Sequence, residues 1–381
     1  MIPFNVPYVS EASKQYVLEA LESNHQQGDG PFTAKASKIV SGLIGGGHVL
    51  LTPSCTHALE MASMLADIGP GDEVILPSYT FTSAATAVTK FGAKPVFVDI
   101  EMETKGIDVN QVRDAISPRT KAISWVNYAG VAPDIEGLQN LAKEFNLILI
   151  EDNAHGLGGS YKGKPLGSFG DFATQSFHAT KNIQCGEGGA LVINNPNFIE
   201  RAEIIREKGT DRSKYIRGEI QRYQWVDQGS SYLIAETLAA ILVGQLEEFS
   251  KIQDLRKAIW RTFYTCLTEK DFQCDSYISK LLLSAQEVSH IFYVEVPNPV
   301  ERDFVRKLMR NSGFEISTHY EPLNLSLHGK RIGVSTSACE FSKQFSQSVL
   351  RFPLYPGLDI TQADQIASEF VKIMQNRSST K

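Results

Sequence analysis

No stretch of the 381-residue chain is apolar for long enough to cross a bilayer. The opening MIPFNVPYVSEASKQ also lacks the basic and apolar segments of a secretory signal. Cysteine is scarce: five residues, at 55, 185, 266, 274 and 339, an odd number with no Cys-x-x-Cys pair. That pattern speaks against a disulfide framework or a zinc ribbon and for a reducing compartment, so a cytoplasmic location is expected. An excess of positive charge is missing as well. The formal net charge of −6 argues against a broad nucleic-acid surface while leaving room for a local basic pocket. The eight histidines show no metal-ligand spacing, and no metal is expected. Internal repeats and low-complexity segments are absent.

What is present is a chain long enough for two domains, with 42% hydrophobic residues and therefore the means to bury a large core. Strand-like runs recur at HVLLT (48–52), in PGDEVILPSYTF (70–81) as a turn, a short buried strand VIL and a loop, and at AKPVFVDI (93–100), KAISWVNYAG (121–130) and NLILIEDNAHG (146–156), with helical segments between them. This alternation predicts an α/β fold with a mostly parallel sheet covered on both faces. Past Asn194 the pattern changes. Residues 197–208 read as an amphipathic helix, 209–231 as a polar, aromatic-rich stretch, and about 235–269 as one long helix. HIFYVEV (290–296) and helices near 300–312 and 361–375 read as a smaller α+β domain. The expected division is a large domain over 15–240 and a small one over 241–381, with 1–14 packing against the latter.

In sheets of this kind ligands bind outside the carboxyl ends of the strands, so the residues just after each strand carry the chemical signal. LILIEDNAHG places Asp152 at the mouth of a buried strand. Lys181 follows 29 residues later, beyond the strand-like FATQSF and inside SFHATKNIQCGEGG. The glycine cluster after this lysine suits close packing better than a solvated face. A carboxylate at one strand end and a lysine beyond the next strand is the pairing pyridoxal phosphate requires. The acid keeps the pyridine nitrogen protonated, and the amine bonds to the aldehyde. SCTHA (54–58) leaves a strand and opens a helix, so its N–H groups and the hydroxyls of Ser54 or Thr56 could take the phosphate, with Ser176 adding another. Tyr79 or Phe81, after strand VIL, could cover the ring; each could equally be core. GLGG (156–159) lacks a full dinucleotide fingerprint and reads as a loop.

With its ordered E-D-x-A-H, S-F-H-x-x-K and G-E-G-G segments, EDNAHG…SFHATKNIQCGEGG resembles the sugar-nucleotide aminotransferases, fold type I pyridoxal-phosphate enzymes acting on keto sugars. The similarity runs from IPFN to RFPLYP. TPSCTHALEMA, REKGTDRSKYIRG and GSSYLIAE are most similar to the branch that makes dTDP-4-amino-4,6-dideoxygalactose for surface polysaccharides. The resemblance implies that Lys181 is the cofactor-bonding lysine, that Asp152 partners the pyridine nitrogen and that His155 lies beside the ring. It puts Ser176 and the Cys55–Thr56 turn at the phosphate and Phe81 at the stacking position. Relatives often carry G-x-N-Y-R where this chain has Gly229-Ser230-Ser231-Tyr232-Leu233, so Ser231 stands where an asparagine reaches the neighbouring subunit's phosphate. HYEPLN (319–324) matches H-Y-x-P-L-H except at Asn324, and makes His319 and Tyr320 candidate substrate contacts. The resemblance further implies a homodimer with shared active sites, L-glutamate as amino donor and a dTDP-linked keto sugar as acceptor. The 209–231 stretch is then either an arm whose Arg212, Lys214, Arg217 and Arg222 meet the nucleotide's diphosphate, or a surface loop with scattered charge.

Overall fold

A computed structural model describes residues 1–269 and 285–378. Two helices lead, α1 (Glu11–Glu22) and α2 (Pro31–Leu43). Strands and helices then alternate: β1 (His48–Thr52), α3 (Cys55–Leu65), β2 (Glu73–Pro77), α4 (Thr82–Thr89), β3 (Lys94–Val98), α5 (Val109–Ala115), β4 (Thr120–Val126), α6 (Ile135–Phe145) and β5 (Ile148–Asp152). Strands β6 (Phe172–Ser176) and β7 (Gly189–Ile193) complete the run. After α7 (Ile199–Arg206), α8 (Arg212–Ile216), α9 (Glu236–Glu247) and α10 (Phe249–Glu269) come β8 (Phe292–Glu295), α11 (Pro299–Asn311), β9 (Val334–Ser335), α12 (Glu340–Ser348), β10 (Val349–Phe352) and α13 (Ile360–Ser378).

The main sheet has the order β1-β7-β6-β5-β4-β2-β3-β9. Pairing is parallel from β9 across to β6, and β7 runs antiparallel to both β6 and β1. The expected mostly parallel α/β sheet is therefore present, with β7 as its one reversed member among the described residues. Because only β7 is reversed, β1 to β6 all end at the same edge, and the segments that follow them converge there. One face buries Leu50, Leu76, Ile150 and Phe172 under α3 and α4; the other buries Ile75, Ile123 and Leu149 under α5 and α6. Strands buried on both faces need continuous apolar runs, which is why VIL and LILI carry no polar alternation.

The C-terminal part is built on the antiparallel pair β8–β10, packed with α10 and α13 around Trp260, Phe263, Phe292, Phe352 and Phe370. The N-terminal residues divide between the two parts. Ile2 donates its N–H to Gly313 (2.8 Å) beside α11, whereas Ser13 Oγ donates to the Ile241 carbonyl (2.9 Å) on α9. The single helix expected over 235–269 is two helices broken at Glu248. The reason is a change of surroundings: α9 is buried on most sides between α1 and α2, with Gly244 against the Ser13 backbone, while α10 exposes one polar face. Expected helices over 197–208, 300–312 and 361–375 correspond to α7, α11 and α13. No helix among the described residues is long and apolar enough to cross a membrane, and none of their His, Cys, Asp and Glu side chains cluster as metal ligands.

Candidate active site

Side chains alternate across a strand, so neighbours on β5 face opposite ways. Asp152 shares a face with Ile150, under α3, while Glu151 shares one with Leu149. Glu151 is fully buried and accepts from Asn127 Nδ2 (2.8 Å), Gly167 N (2.7 Å) and Phe169 N (3.0 Å), so it staples the turn after β5. Asp152 has a different task. It opens into a cavity of about 420 Å³ and accepts only the Ala154 N–H (3.1 Å) among the described side-chain bonds. Burial pushes its carboxyl above the ordinary carboxylate value, against the pull of that N–H and of Lys181.

Register carries the next group to the same place. Asp152 pairs with Thr174 on β6, so Phe172, Thr174 and Ser176 face α3 with it. Helix α3 starts at Cys55, capped by Ser54 Oγ, which accepts the His57 N–H (3.2 Å). Its first turn lines the cavity with Cys55 and Thr56, and Thr56 Oγ1 lies 2.7 Å from Ser83 Oγ. The free N–H groups and positive end of this helix are a ready anion site. Access to it depends on Gly189: a Cβ there would lie 2.3 Å from Cys55 N and 2.4 Å from the Ser54 carbonyl carbon.

Lys181 sits on a turn between β6 and β7. The turn is held by Phe177 N to Gly188 O (2.8 Å), Ala179 N to Gly186 O (2.8 Å) and Lys181 N to His178 O (2.9 Å), and Gly186 takes φ +85°. The glycine cluster thus folds the segment back and carries the lysine into the cavity beside Asp152. Burial lowers the Lys181 amine from 10.5 to about 8; Cys55 and Asp152 oppose the shift and Arg351 adds to it.

The remaining wall is aromatic and neutral. His155 Nδ1 accepts the Ala129 N–H (3.3 Å), so Nε2 carries the proton toward Tyr320 Oη at 3.1 Å. Tyr128 Oη lies 2.7 Å from His319 Nδ1, and the His319 and Tyr320 rings stack at 3.7 Å. Burial holds His155, His290 and His319 far below the usual histidine value. Phe81 lies at the mouth, 54% exposed, its ring 5.9 Å from Tyr320. Tyr79, the other aromatic considered for the ring face, is fully buried in the C-terminal core.

Lys181, Asp152, His155, Ser176, Cys55, Thr56, Phe81, His319 and Tyr320 therefore all line one cavity. Ser231 and Arg212 lie outside it. Ser231 is exposed and its backbone bridges Glu207, while Arg212 pairs with Glu207 at 3.3 Å. Lys214 and Arg217 are paired with Glu200 and Glu203. Asn324, the departure from H-Y-x-P-L-H, accepts from Ser78 Oγ at 2.6 Å and ties its loop to the end of β2. Sequence reasoning missed His290, whose ring centroid is 4.4 Å from His155 and whose Nδ1 lies 2.7 Å from Asn182 Oδ1. It missed Arg351 too, a guanidinium entering the cavity from β10. Neither belongs to a strand-end motif of the large sheet, so no local pattern marks them.

The residues fit pyridoxal phosphate on the structure's own terms. A carboxylate and an uncharged-prone lysine share a cavity with a helix N-terminus that only glycine at 189 leaves accessible. A family model, the DegT/DnrJ/EryC1/StrS aminotransferase family, matches residues 7–371. Among solved structures, Spr1654 from Streptococcus pneumoniae, assigned as a sugar aminotransferase and solved in its PMP form, is 26% identical over 100% of both chains with a TM-score of 0.88. The same protein is also known in a PLP form. The aminotransferase TlmJ from Streptoalloteichus hindustanus is 25% identical over 99% of each chain (TM-score 0.86). DesI, solved in the presence of its TDP-sugar product, shares the fold at 24% identity, over 98% of this chain and 92% of its own (TM-score 0.85). The chain belongs to the DegT/DnrJ/EryC1/StrS aminotransferase family, has the fold type I aminotransferase fold and uses pyridoxal phosphate as its cofactor.

Proposed function

We propose that this enzyme transfers the amino group of L-glutamate to the 4-keto carbon of dTDP-4-keto-6-deoxy-D-glucose, giving dTDP-4-amino-4,6-dideoxy-D-galactose and 2-oxoglutarate. The observation that carries the transaminase chemistry is the meeting of Lys181 and Asp152 in one cavity at the N-terminus of α3. The choice of sugar rests on TPSCTHALEMA, REKGTDRSKYIRG and GSSYLIAE, the segments most similar to the branch that makes dTDP-4-amino-4,6-dideoxygalactose.

Bound in the cavity, pyridoxal phosphate supplies an electron sink and carries the amino group from one substrate to the other. Lys181 Nζ removes the proton from the α-carbon of glutamate, and in the second half-reaction delivers one to C4 of the sugar. An amine lowered to about 8 has a workable share of free base near neutrality, which an ordinary lysine lacks. Asp152 would accept a hydrogen bond from the protonated ring nitrogen and so keep it protonated. The first turn of α3 with Ser176 would hold the phosphate, and Phe81 would cover the ring. His155, kept neutral by burial, fixes Tyr320 through its Nε2–H. His319 and Tyr320 contact the incoming substrate.

The working unit in this reading is a cytoplasmic homodimer. The 209–231 arm, with Trp225 79% and Ile216 62% exposed, covers the partner subunit, and Ser231 reaches the partner's cofactor phosphate. The product would supply a deoxyamino sugar for surface polysaccharide.

Incubation with glutamate and dTDP-4-keto-6-deoxyglucose, followed by NMR of the product's ring couplings, tests the reading. A galacto-configured 4-amino sugar is the expected result. A gluco epimer, or turnover only with a 3-keto sugar, would replace it. Lys181→Ala should lose both the visible absorbance of the lysine-bound cofactor and turnover, and a yellow, active variant would remove Lys181 from its role.

A further inference from the structure

Between Ile2 and Tyr8 the chain crosses from one part of the molecule to the other, and both ends of the crossing are tied down. On the C-terminal side, Ile2 N donates to Gly313 O (2.8 Å), Glu315 N to Ile2 O (3.1 Å) and Phe4 N to Glu315 Oε2 (3.0 Å). On the side of the large sheet, Tyr8 O accepts from Gln184 Nε2 (2.7 Å) and Gln245 Nε2 (2.9 Å), and Tyr8 Oη donates to Glu248 Oε2 (3.0 Å). Midway, Phe4 and Asn5 form part of the cavity wall. Asn5 Nδ2 donates to the carbonyl of Ala179 (3.2 Å), two residues before Lys181. A carbonyl only accepts, so this bond fixes which end of the amide is the nitrogen. The other end, Oδ1, takes no hydrogen bond from any described residue. Other polar groups of the wall have partners: Thr56 with Ser83, His155 with Tyr320, His319 with Tyr128. An acceptor is left over on a half-buried side chain fastened to the lysine's own turn.

We infer that Asn5 Oδ1 accepts a hydrogen bond from the sugar hydroxyl beside the reacting carbon, the C3 hydroxyl of a 4-keto sugar, and so helps to select the substrate of the second half-reaction. This inference rests on the transamination reading above and deepens it. Its basis is the supply of donors. Glutamate's carboxylates only accept, so they have nothing to offer an amide oxygen, whereas a sugar hydroxyl donates. Position narrows the choice of hydroxyl. Lys181 works at C4, and of that carbon's two ring neighbours C3 carries a hydroxyl and C5 a methyl group. Because the segment is anchored at both ends, the amide is held in place before the sugar arrives, and little ordering remains to be done on binding. Phe4, next to it in the wall, adds apolar surface beside the polar contact.

The test separates the half-reactions of the holoenzyme. Asn5→Ala removes the oxygen while leaving both anchors of the segment in place. It is compared with wild type by stopped-flow, once with L-glutamate and once, from the pyridoxamine form, with dTDP-4-keto-6-deoxyglucose and its 3-deoxy analogue. Wild type should favour the sugar bearing the 3-hydroxyl by about tenfold in kcat/KM, the scale of one hydrogen bond. Asn5→Ala should treat the two sugars alike to within about twofold, with its glutamate half-reaction within about threefold of wild type. A second readout needs no turnover: calorimetric binding of the amino-sugar product and its 3-deoxy form to the pyridoxamine enzyme, discriminating in wild type and not in Asn5→Ala. The wild-type comparison of the two sugars stands whether or not the variant folds. A wild type indifferent to the 3-hydroxyl, or a variant that keeps the full discrimination, overturns the assignment. So does an equal loss in both half-reactions by a folded variant, the mark of a residue that only steadies the lysine turn. A wild type inert to this sugar but active with another nucleotide-linked keto sugar sinks the substrate named above, and the same comparison is then decided on the hydroxyl beside that sugar's keto carbon.

Discussion

Replacing Lys181 by methionine should stabilise the cofactor-free fold while abolishing function. The site lowers this lysine from 10.5 to about 8, chiefly by burial, with Cys55 and Asp152 opposing and Arg351 adding to the effect. At ~1.4 kcal/mol per pKa unit, holding the ammonium there costs roughly 3 kcal/mol. The sign follows from proton binding. Between about 8 and 10.5 the unfolded chain holds the proton more tightly than the folded chain does, so stability rises with pH across that window. Below the folded value the penalty is present in full, and above the unfolded value it is gone. Methionine cannot ionise, so the variant lacks this slope. Urea titrations of both cofactor-free proteins at about pH 7, 9 and 10 should show the variant ahead by roughly 3 kcal/mol at the lowest pH, with the gap closing as pH rises. Equal stability near neutrality, or a gap that does not close, would refute the claim that the empty site favours a neutral amine.

Adjacent carboxylates should respond in opposite ways. Asp152→Asn is expected to reduce kcat by roughly 10²- to 10³-fold with little change in melting temperature, because the charge facing the cofactor is lost. Glu151→Gln should cost roughly 2–4 kcal/mol of stability, since a new amide meets N–H donors from three partners, yet leave turnover per folded molecule near wild type. The reverse pattern would contradict the assignment of the two residues to opposite faces. Gly189→Ala should displace the start of α3 and weaken pyridoxal phosphate by about tenfold or more in reconstitution titrations, while phosphate-free pyridoxal is affected much less. Equal weakening of both ligands would remove the helix terminus from phosphate binding.

Much of the site was legible because the large sheet follows a local rule. Apolar runs ending in Asp152, Ser176 and the Ser54–Thr56 turn mark strand ends, and parallel strands gather those ends at one edge. The two faces of β5 follow from alternation alone once LILIED is read as a strand. Helices α1 and α2 went unread: they begin before the first strand, and it is α9 and not an obvious apolar stripe of their own that holds them. The break at Glu248 was hidden because both flanking segments are good helix formers, and only the change from surrounded to half-exposed packing separates them.

By itself the sequence determined the parallel sheet and brought Asp152, Lys181 and the Ser54–Thr56 helix start to one edge of it, since each depends on residues close in the chain or on strand ends that topology must bring together. Tertiary structure alone decided that the site has a second cation. Arg351 and His290 reach the cavity from the β8–β10 part of the chain, more than a hundred residues beyond Lys181, and nothing local to RFPLYP or SHIFYVEV says what they face. It also decided that Arg212 is held by Glu207, away from its own cavity, because an ion pair depends on which helix packs beside which. Local pattern reveals where a strand ends; only packing reveals what stands opposite.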